Sequence, residues 1–281
     1  MSETGAVLIT GCSTGIGRAT AEHLAAKGHT VYATARKLES IADLESKGIK
    51  TLALDVNDEA SMQAAVKAVE DAEGAVGALV NNAGYSQSGA VESVKLDDIR
   101  SQFETNVFGL IRMSQLVLPG MRRQGRGRIV NVGSMGGTLV FPGGGIYHAT
   151  KFAVEAISDA LRFEVKGFGV DVVLIQPGLI RTEFATAAVG ALNTGTTDDG
   201  PYGEFNQRVA SGTAEVYDGP TAKLGGPPEA VAKVIEKAIT TRRPRTRYKV
   251  TASARLIMGQ RKLLTDRMWD RFVGTQFPQP R

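Results

Sequence analysis

Short apolar runs alternate with longer stretches of helical periodicity along most of the chain. Residues 6–10 (AVLIT), 30–34, 51–54, 78–81 (ALVN), 128–132 (RIVNV) and 170–175 (VDVVLI) read as strands. Between them the spacing predicts helices over 15–27 and near 37–47, 58–72, 97–122 and 147–167. Near-continuous apolar strands bounded by helices describe a parallel sheet buried on both faces. The repeated strand–helix order predicts an α/β fold with a doubly wound, Rossmann-type parallel sheet in a single domain.

The alternation stops at 186–226, where Gly, Thr, Asp and Pro cluster (TGTTDDGPYG, GPTAKLGGPP). A long irregular segment inside a compact domain is usually functional or mobile. A helix over 228–240 and a strand over 246–250 then restore order. Beyond them Ile257, Leu264, Met268 and Phe272 fall on one helical stripe, with Leu263 beside it and Arg261, Lys262, Arg267 and Arg271 interleaved. That pattern predicts one or two amphipathic helices. The expected organisation is therefore a nucleotide-binding and catalytic domain over 1–250, a substrate loop at about 183–226, and a C-terminal helical extension over 251–281.

Charge sharpens this division. The 281 residues carry a net +4. Residues 242–281 hold eleven basic and two acidic side chains, +9, leaving the first 241 at −5. Four roles stand open for the basic extension: packing on the body or a second subunit, a lid, contact with an anionic membrane surface, and nucleic-acid binding. No nucleic-acid motif accompanies the charge, so no nucleic-acid partner is expected. One cysteine, Cys12, excludes an intramolecular disulfide framework, and three histidines leave little for a metal site. No apolar run approaches the roughly 18 residues of a membrane span. Residues 1–5 lack the marks of a signal peptide, so a cytoplasmic protein is expected.

The first strand runs into Thr10-Gly11-Cys12-Ser13-Thr14-Gly15-Ile16-Gly17. Gly11 suits a tight turn, Gly15 a close approach of backbone to a pyrophosphate, and Gly17 the packing of helix on strand. The free N–H groups at the helix start favour an anion. The second strand ends at Ala35-Arg36, where a carboxylate would favour NAD(H). A guanidinium there suits the 2′-phosphate of NADP(H), which is the favoured cofactor. Arg36 is otherwise a solvated loop arginine. Arg18 could add charge. Asp55 suits either an adenine amino group or a helix cap. Asn81 and Asn82 suit ties between strand ends, and the small Ala83 and Gly84 would let a sugar lie on the backbone.

Tyr147 and Lys151 are spaced i, i+4 and share a helix face. A nearby ammonium lowers a phenol from its usual pKa of about 10, which makes it a usable general acid/base. Ser134, thirteen residues earlier, could hold a substrate oxygen beside the tyrosine.

TGCSTGIG at 10–17, NNAG at 81–84, Asn106 in TNVFG, Ser134, YHATK at 147–151 and PGLIRT at 177–182 stand in one order over roughly 5–185. Together they resemble the short-chain dehydrogenase/reductase family in its single-domain form. ITGCSTGIG with YATAR is similar to the 17β-hydroxysteroid and retinol dehydrogenase branch. The resemblance implies an NADP(H)-dependent oxidoreductase that interconverts a ketone or aldehyde and an alcohol. Tyr147 would be its acid/base. Lys151 would lower the tyrosine pKa and bind the nicotinamide ribose. Ser134 would orient substrate, and Asn106 would hold a relay water in a kinked helix. It also places Ser13, Thr14, Ile16, Asp55, Val56, Asn82, Ala83, Gly84, Val132, Pro177, Gly178, Ile180 and Thr182 around the cofactor. Homodimers and homotetramers are common in the family, so an oligomer is expected.

Phe184, Leu192, Tyr202, Phe205, Val209 and Tyr217 in the loop, with Met135, Leu139, Val140 and Phe141 after Ser134, suggest an apolar substrate of lipid, steroid or aromatic type. Alternatively they only pack the lid. Gly143-Gly144-Gly145 reads as a loose approach to Tyr147 that widens this wall. Two rivals share the fold: a non-catalytic NADP(H) sensor, which has no need of an acid/base pair, and a sugar epimerase or dehydratase, which would usually carry a longer C-terminal domain.

Overall fold

The computed structural model describes residues 4–183, 200–277 and 279. Seven strands form one sheet: β1 (Ala6–Ile9), β2 (Val31–Ala35), β3 (Lys50–Ala53), β4 (Val76–Asn81), β5 (Gly127–Val132), β6 (Val170–Pro177) and β7 (Arg247–Val250). Their order is β3-β2-β1-β4-β5-β6-β7, and every pair is parallel. The order reverses between β1 and β4, and ligands of such sheets bind in the crevice at the carboxyl ends there.

Helices α1 (Gly15–Ala26), α2 (Glu59–Glu73), α3 (Leu96–Phe103), α4 (Gly109–Arg123), α5 (Gly145–Glu164), α6 (Gly203–Asp218), α7 (Pro228–Thr240), α8 (Ala252–Leu263) and α9 (Asp266–Gly274) accompany the sheet in the described residues. Alternate strand residues feed opposite faces. Val7 and Ile9 join Leu24 of α1 and Val231 and Ile235 of α7, while Ala6 and Leu8 join Val66 of α2 and Met113 and Val117 of α4. Full burial of the central strands explains their unbroken apolar runs.

Several expectations are corrected. The stretch at 37–47 forms two short 3₁₀ segments, Leu38–Ser40 and Ala42–Lys47, and Ile41 and Leu44 are its anchors in the core. The helix expected over 97–122 is divided by a π turn, Glu104–Phe108. The region expected to be irregular contains α6, which a Gly- and Asp-rich composition obscured. Its apolar Val209 is buried against Gly143.

The extension packs on the body. Ala254 and Met258 of α8 and Trp269 and Val273 of α9 are buried against Leu139, with Met135 and Phe141 beside them. Of the expected stripe, Ile257, Leu264 and Phe272 pack against this cluster, Met268 and the adjacent Leu263 face outward at 49% and 86% exposure, and Trp269 takes the central place. No helix among the described residues is long and apolar enough to cross a membrane.

Candidate active site

The crevice at the switch point is a cavity of about 820 Å³. Its walls include Gly11, Ser13, Thr14, Gly15, Ile16, Arg36, Asp55, Val56, Asn82, Ala83, Gly84, Val132, Pro177, Gly178, Ile180 and Thr182, and its floor includes Ser134, Met135, Tyr147 and Lys151. The fold thus brings together most of the residues singled out from sequence. Gly17 and Asn106 lie behind the wall, and Phe184 and Leu192 lie outside the described residues.

The glycine turn is built for close approach. Gly11 has φ +73°, and a Cβ there would stand 2.9 Å from Ala83 Cα. Gly15, at φ +58°, opens α1. Gly17 serves packing: a Cβ would meet Gly11 O at 2.2 Å and Asn82 Nδ2 at 2.5 Å. The Asn82 amide donates to Thr10 O at 3.0 Å and Gly11 O at 2.9 Å, so it ties β4 to the turn. Asn81 likewise donates to Ser114 and to Asn131 of β5. These features fit a dinucleotide whose pyrophosphate meets the start of α1.

At the ribose end Arg36 is exposed on the cavity rim. Arg18, also considered for this role, is committed elsewhere, pairing with Asp43 and with Glu22. Asp58 caps α2 by accepting from the Ala60 and Ser61 amides. Asp55 is therefore left on the cavity wall, its Oδ1 accepting from Asn57 N at 3.0 Å.

Tyr147 and Lys151 lie on consecutive turns of α5, with Lys151 Nζ 5.8 Å from the phenol ring centroid. Ser134, just past β5, lies in the same cavity beside Tyr147, where its hydroxyl favours the phenolate. Ser134 Oγ also accepts from Gly136 N at 3.0 Å, which leaves its proton free to donate toward the phenol oxygen. Lys151 is buried and donates to Val132 O at 2.9 Å, and burial brings its pKa down to about 8.

The expected lowering of the tyrosine pKa does not hold in this site. Burial pushes the phenol above its ordinary range, against the pull of the Ser134 hydroxyl, and neighbouring Tyr217 adds to the rise. The lysine does not offset this because its own pKa, about 8, lies below that of the phenol, so it is neutral where the phenol ionises. Near neutrality the site therefore holds a protonated tyrosine beside a protonated lysine, a proton-donating arrangement.

The π turn places Asn106 behind this pair. Its Nδ2 donates to Tyr85 O at 2.9 Å and Thr150 Oγ1 at 3.1 Å, while its Oδ1 accepts from Tyr85 N at 3.0 Å. A π turn inside a longer helix often marks a functional site.

The substrate wall differs from expectation. Of the apolar residues expected there, Met135 and Tyr217 line the cavity. Leu139 is buried under the tail, Val209 packs on Gly143, Val140 is 45% exposed, and Phe141 joins the tail cluster. Tyr202 donates to Glu92 at 2.6 Å and stacks edge-on with Phe205. The glycine run is close-packed: a Cβ on Gly143 would stand 2.5 Å from Val209, and one on Gly144 2.8 Å from His148 Nε2.

Two further features were not foreseen. His148 lines the cavity beside Tyr147. Ser253, at the start of α8, accepts from Leu179 N at 3.0 Å and so holds the segment after β6. Its neighbour Thr251 has φ +82° and caps α8. The sequence signal was present in Thr-x-Ser ahead of an apolar helix pattern, but strain at a threonine has no such signature.

A family model described as short chain dehydrogenase matches residues 5–191. The NADPH-dependent 3-dehydrocapnine reductase of Ornithobacterium rhinotracheale is 36% identical over 273 residues, covering 94% of this chain and 94% of that protein. Human 17-beta-hydroxysteroid dehydrogenase type 1 is 36% identical over 259 residues, 87% of this chain and 77% of that one. A short-chain dehydrogenase from Streptomyces avermitilis superposes with a TM-score of 0.80 at 32% identity, covering 97% of this chain and 96% of its own. The chain belongs to the short-chain dehydrogenase/reductase family and is an oxidoreductase acting on CH–OH groups.

Proposed function

We propose that this protein is an NADP(H)-dependent reductase of an apolar ketone or aldehyde. The observation that carries the reading is the placement of Ser134, Tyr147 and buried Lys151 together in the cavity that Arg36 rims. Bound NADPH would supply the hydride. Tyr147 gives its phenolic proton to the carbonyl oxygen as the new C–H bond forms. Ser134 donates a hydrogen bond to that oxygen and so orients it. Lys151 holds positive charge beside the developing phenolate and binds the nicotinamide ribose. The π turn at Asn106 is where a relay water would replenish the proton. Arg36 holds the 2′-phosphate.

Near neutrality Tyr147 keeps its proton, the form that reduction consumes. Relatives named for 3-dehydrocapnine reduction with NADPH and for a hydroxysteroid support the cofactor and an apolar substrate class. A non-catalytic sensor would gain nothing from a lysine whose burial costs desolvation.

The test is a panel of ketones and aldehydes with NADPH consumption as readout. Turnover is expected to concentrate in apolar members. Activity confined to small polar carbonyls, or none with any carbonyl, would overturn the reading.

A further inference from the structure

We infer that His148 and Trp269 are positioning residues that hold the turn over 134–141 from its two sides and thereby aim Ser134 at Tyr147. The inference rests on the proposed catalytic pairing of those two side chains.

The turn has little rigidity of its own. It contains Gly136 and Gly137 in succession, and its internal order comes from hydrogen bonds such as Gly137 N to Ser134 O at 3.1 Å and Thr138 N to Met135 O at 3.1 Å. Adjacent glycines leave many backbone states open. The hydroxyl of Ser134 is useful only if the turn stays in one of them.

His148 closes one side. Phe141 N donates to its Nε2 at 3.2 Å, so Nδ1 carries the proton and donates to Gly136 O at 2.9 Å. One neutral imidazole thus joins both ends of the turn to the first turns of α5. The glycines make room for it, since a Cβ on Gly136 would lie 2.4 Å from Nδ1. The same ring meets the Tyr147 ring edge-on at 5.7 Å.

Trp269 closes the other side. Its indole N–H donates to Val140 O at 3.3 Å, and its ring lies 5.8 Å from Phe141. Phe141 in turn lies 6.3 Å from His148. Arg261 holds the indole from outside, 5.7 Å over the ring. The C-terminal extension therefore reaches the catalytic serine through one aromatic contact chain. A phenylalanine at 269 would fill the same space without the N–H, and polar burial at 148 has no packing purpose that an apolar ring would not serve. Both residues are placed for geometry, and geometry is what the proton-transfer step needs.

The test uses full-length His148→Ala, Trp269→Phe and the double variant, with Tyr147→Phe and the exposed tail substitution Leu263→Ala as controls. NADPH affinity is measured by calorimetry, and kcat on the best ketone of the panel. Misplacement of a reacting group predicts a kcat loss of about 10- to 100-fold for His148→Ala and about 3- to 10-fold for Trp269→Phe. NADPH affinity should stay within about twofold. The double variant should lose no more than His148→Ala alone, because both act through one turn. Leu263→Ala should match the parent.

Parent-like kcat in Trp269→Phe and His148→Ala, with Tyr147→Phe inactive, overturns the positioning role and leaves the catalytic reading standing. Losses that multiply as independent effects, or that track lost NADPH affinity, also overturn it. Parent-like kcat in Tyr147→Phe overturns the catalytic reading and this inference with it. Should His148→Ala fail to fold, Trp269→Phe carries the test alone.

Discussion

At the scale of single residues the site is governed by competition between burial and charge. Lys151 gives up proton affinity on folding, from the ordinary lysine value to about 8, because its ammonium is removed from water. The unfolded chain therefore binds more protons than the folded one between pH about 8 and 10.5, so the burial of charged Lys151 costs stability below about pH 8 and that cost is relieved as pH rises through the window. The proposed mechanism requires the opposite state, a charged Lys151. The kcat/KM for NADPH, which reports groups of the free enzyme, is expected to fall above pH about 8. A profile flat to pH 10 would remove the charged lysine from cofactor binding. In the proposed reading Arg36 acts by charge in the open. Arg36→Ala should weaken NADPH by about 10- to 100-fold, the loss of a charge-assisted phosphate contact of roughly 1.5–3 kcal/mol. NADH should be unaffected. Unchanged preference between the two would remove Arg36 from that role.

At the scale of elements, special backbone geometry sits where the chemistry does. Gly143 has φ +76°, accepts from Gly89 N at 2.8 Å, and leaves the space that Val209 of α6 fills. Gly143→Ala would strain the backbone and drive a methyl into Val209. It should destabilise the protein by about 1–3 kcal/mol, read as a lowered melting temperature. An unchanged melting temperature would show that α6 yields at no cost. This packing was invisible in the sequence, where three glycines read as looseness, because the partner lies more than sixty residues away. The central strands were legible because both of their faces are buried, so their apolar runs carry no ambiguity, whereas the edge strands β3 and β7 are only partly covered. The π turn was not: TNVF has ordinary helical character, and the π turn coincides with Asn106 bonding to the Tyr85 backbone, a contact with no local sequence signature. The cofactor wall was readable from its glycines and its order along the chain. The tail's contact with the serine turn was not, since Trp269 lay outside the stripe that periodicity suggested.

At the scale of the molecule, the basic excess of the last forty residues is divided. Arg242, Arg243 and Arg245 are exposed in the loop before β7, at the amino ends of the strands and away from the crevice. Arg247 pairs with Glu155 at 3.0 Å and Asp159 at 2.6 Å. Arg261 pairs with Asp266 at 2.5 Å. The extension is thus joined to the body by its apolar face and by Ser253, and its charge is partly spent internally. The catalytic reading of the whole rests on one phenolic proton. Its most direct test is Tyr147→Phe, assayed for NADPH binding and for turnover of the preferred ketone. The expected result is parent-like NADPH affinity with kcat lowered by about 10²- to 10⁴-fold, the usual worth of a positioned general acid. Parent-like turnover with bound cofactor would contradict it.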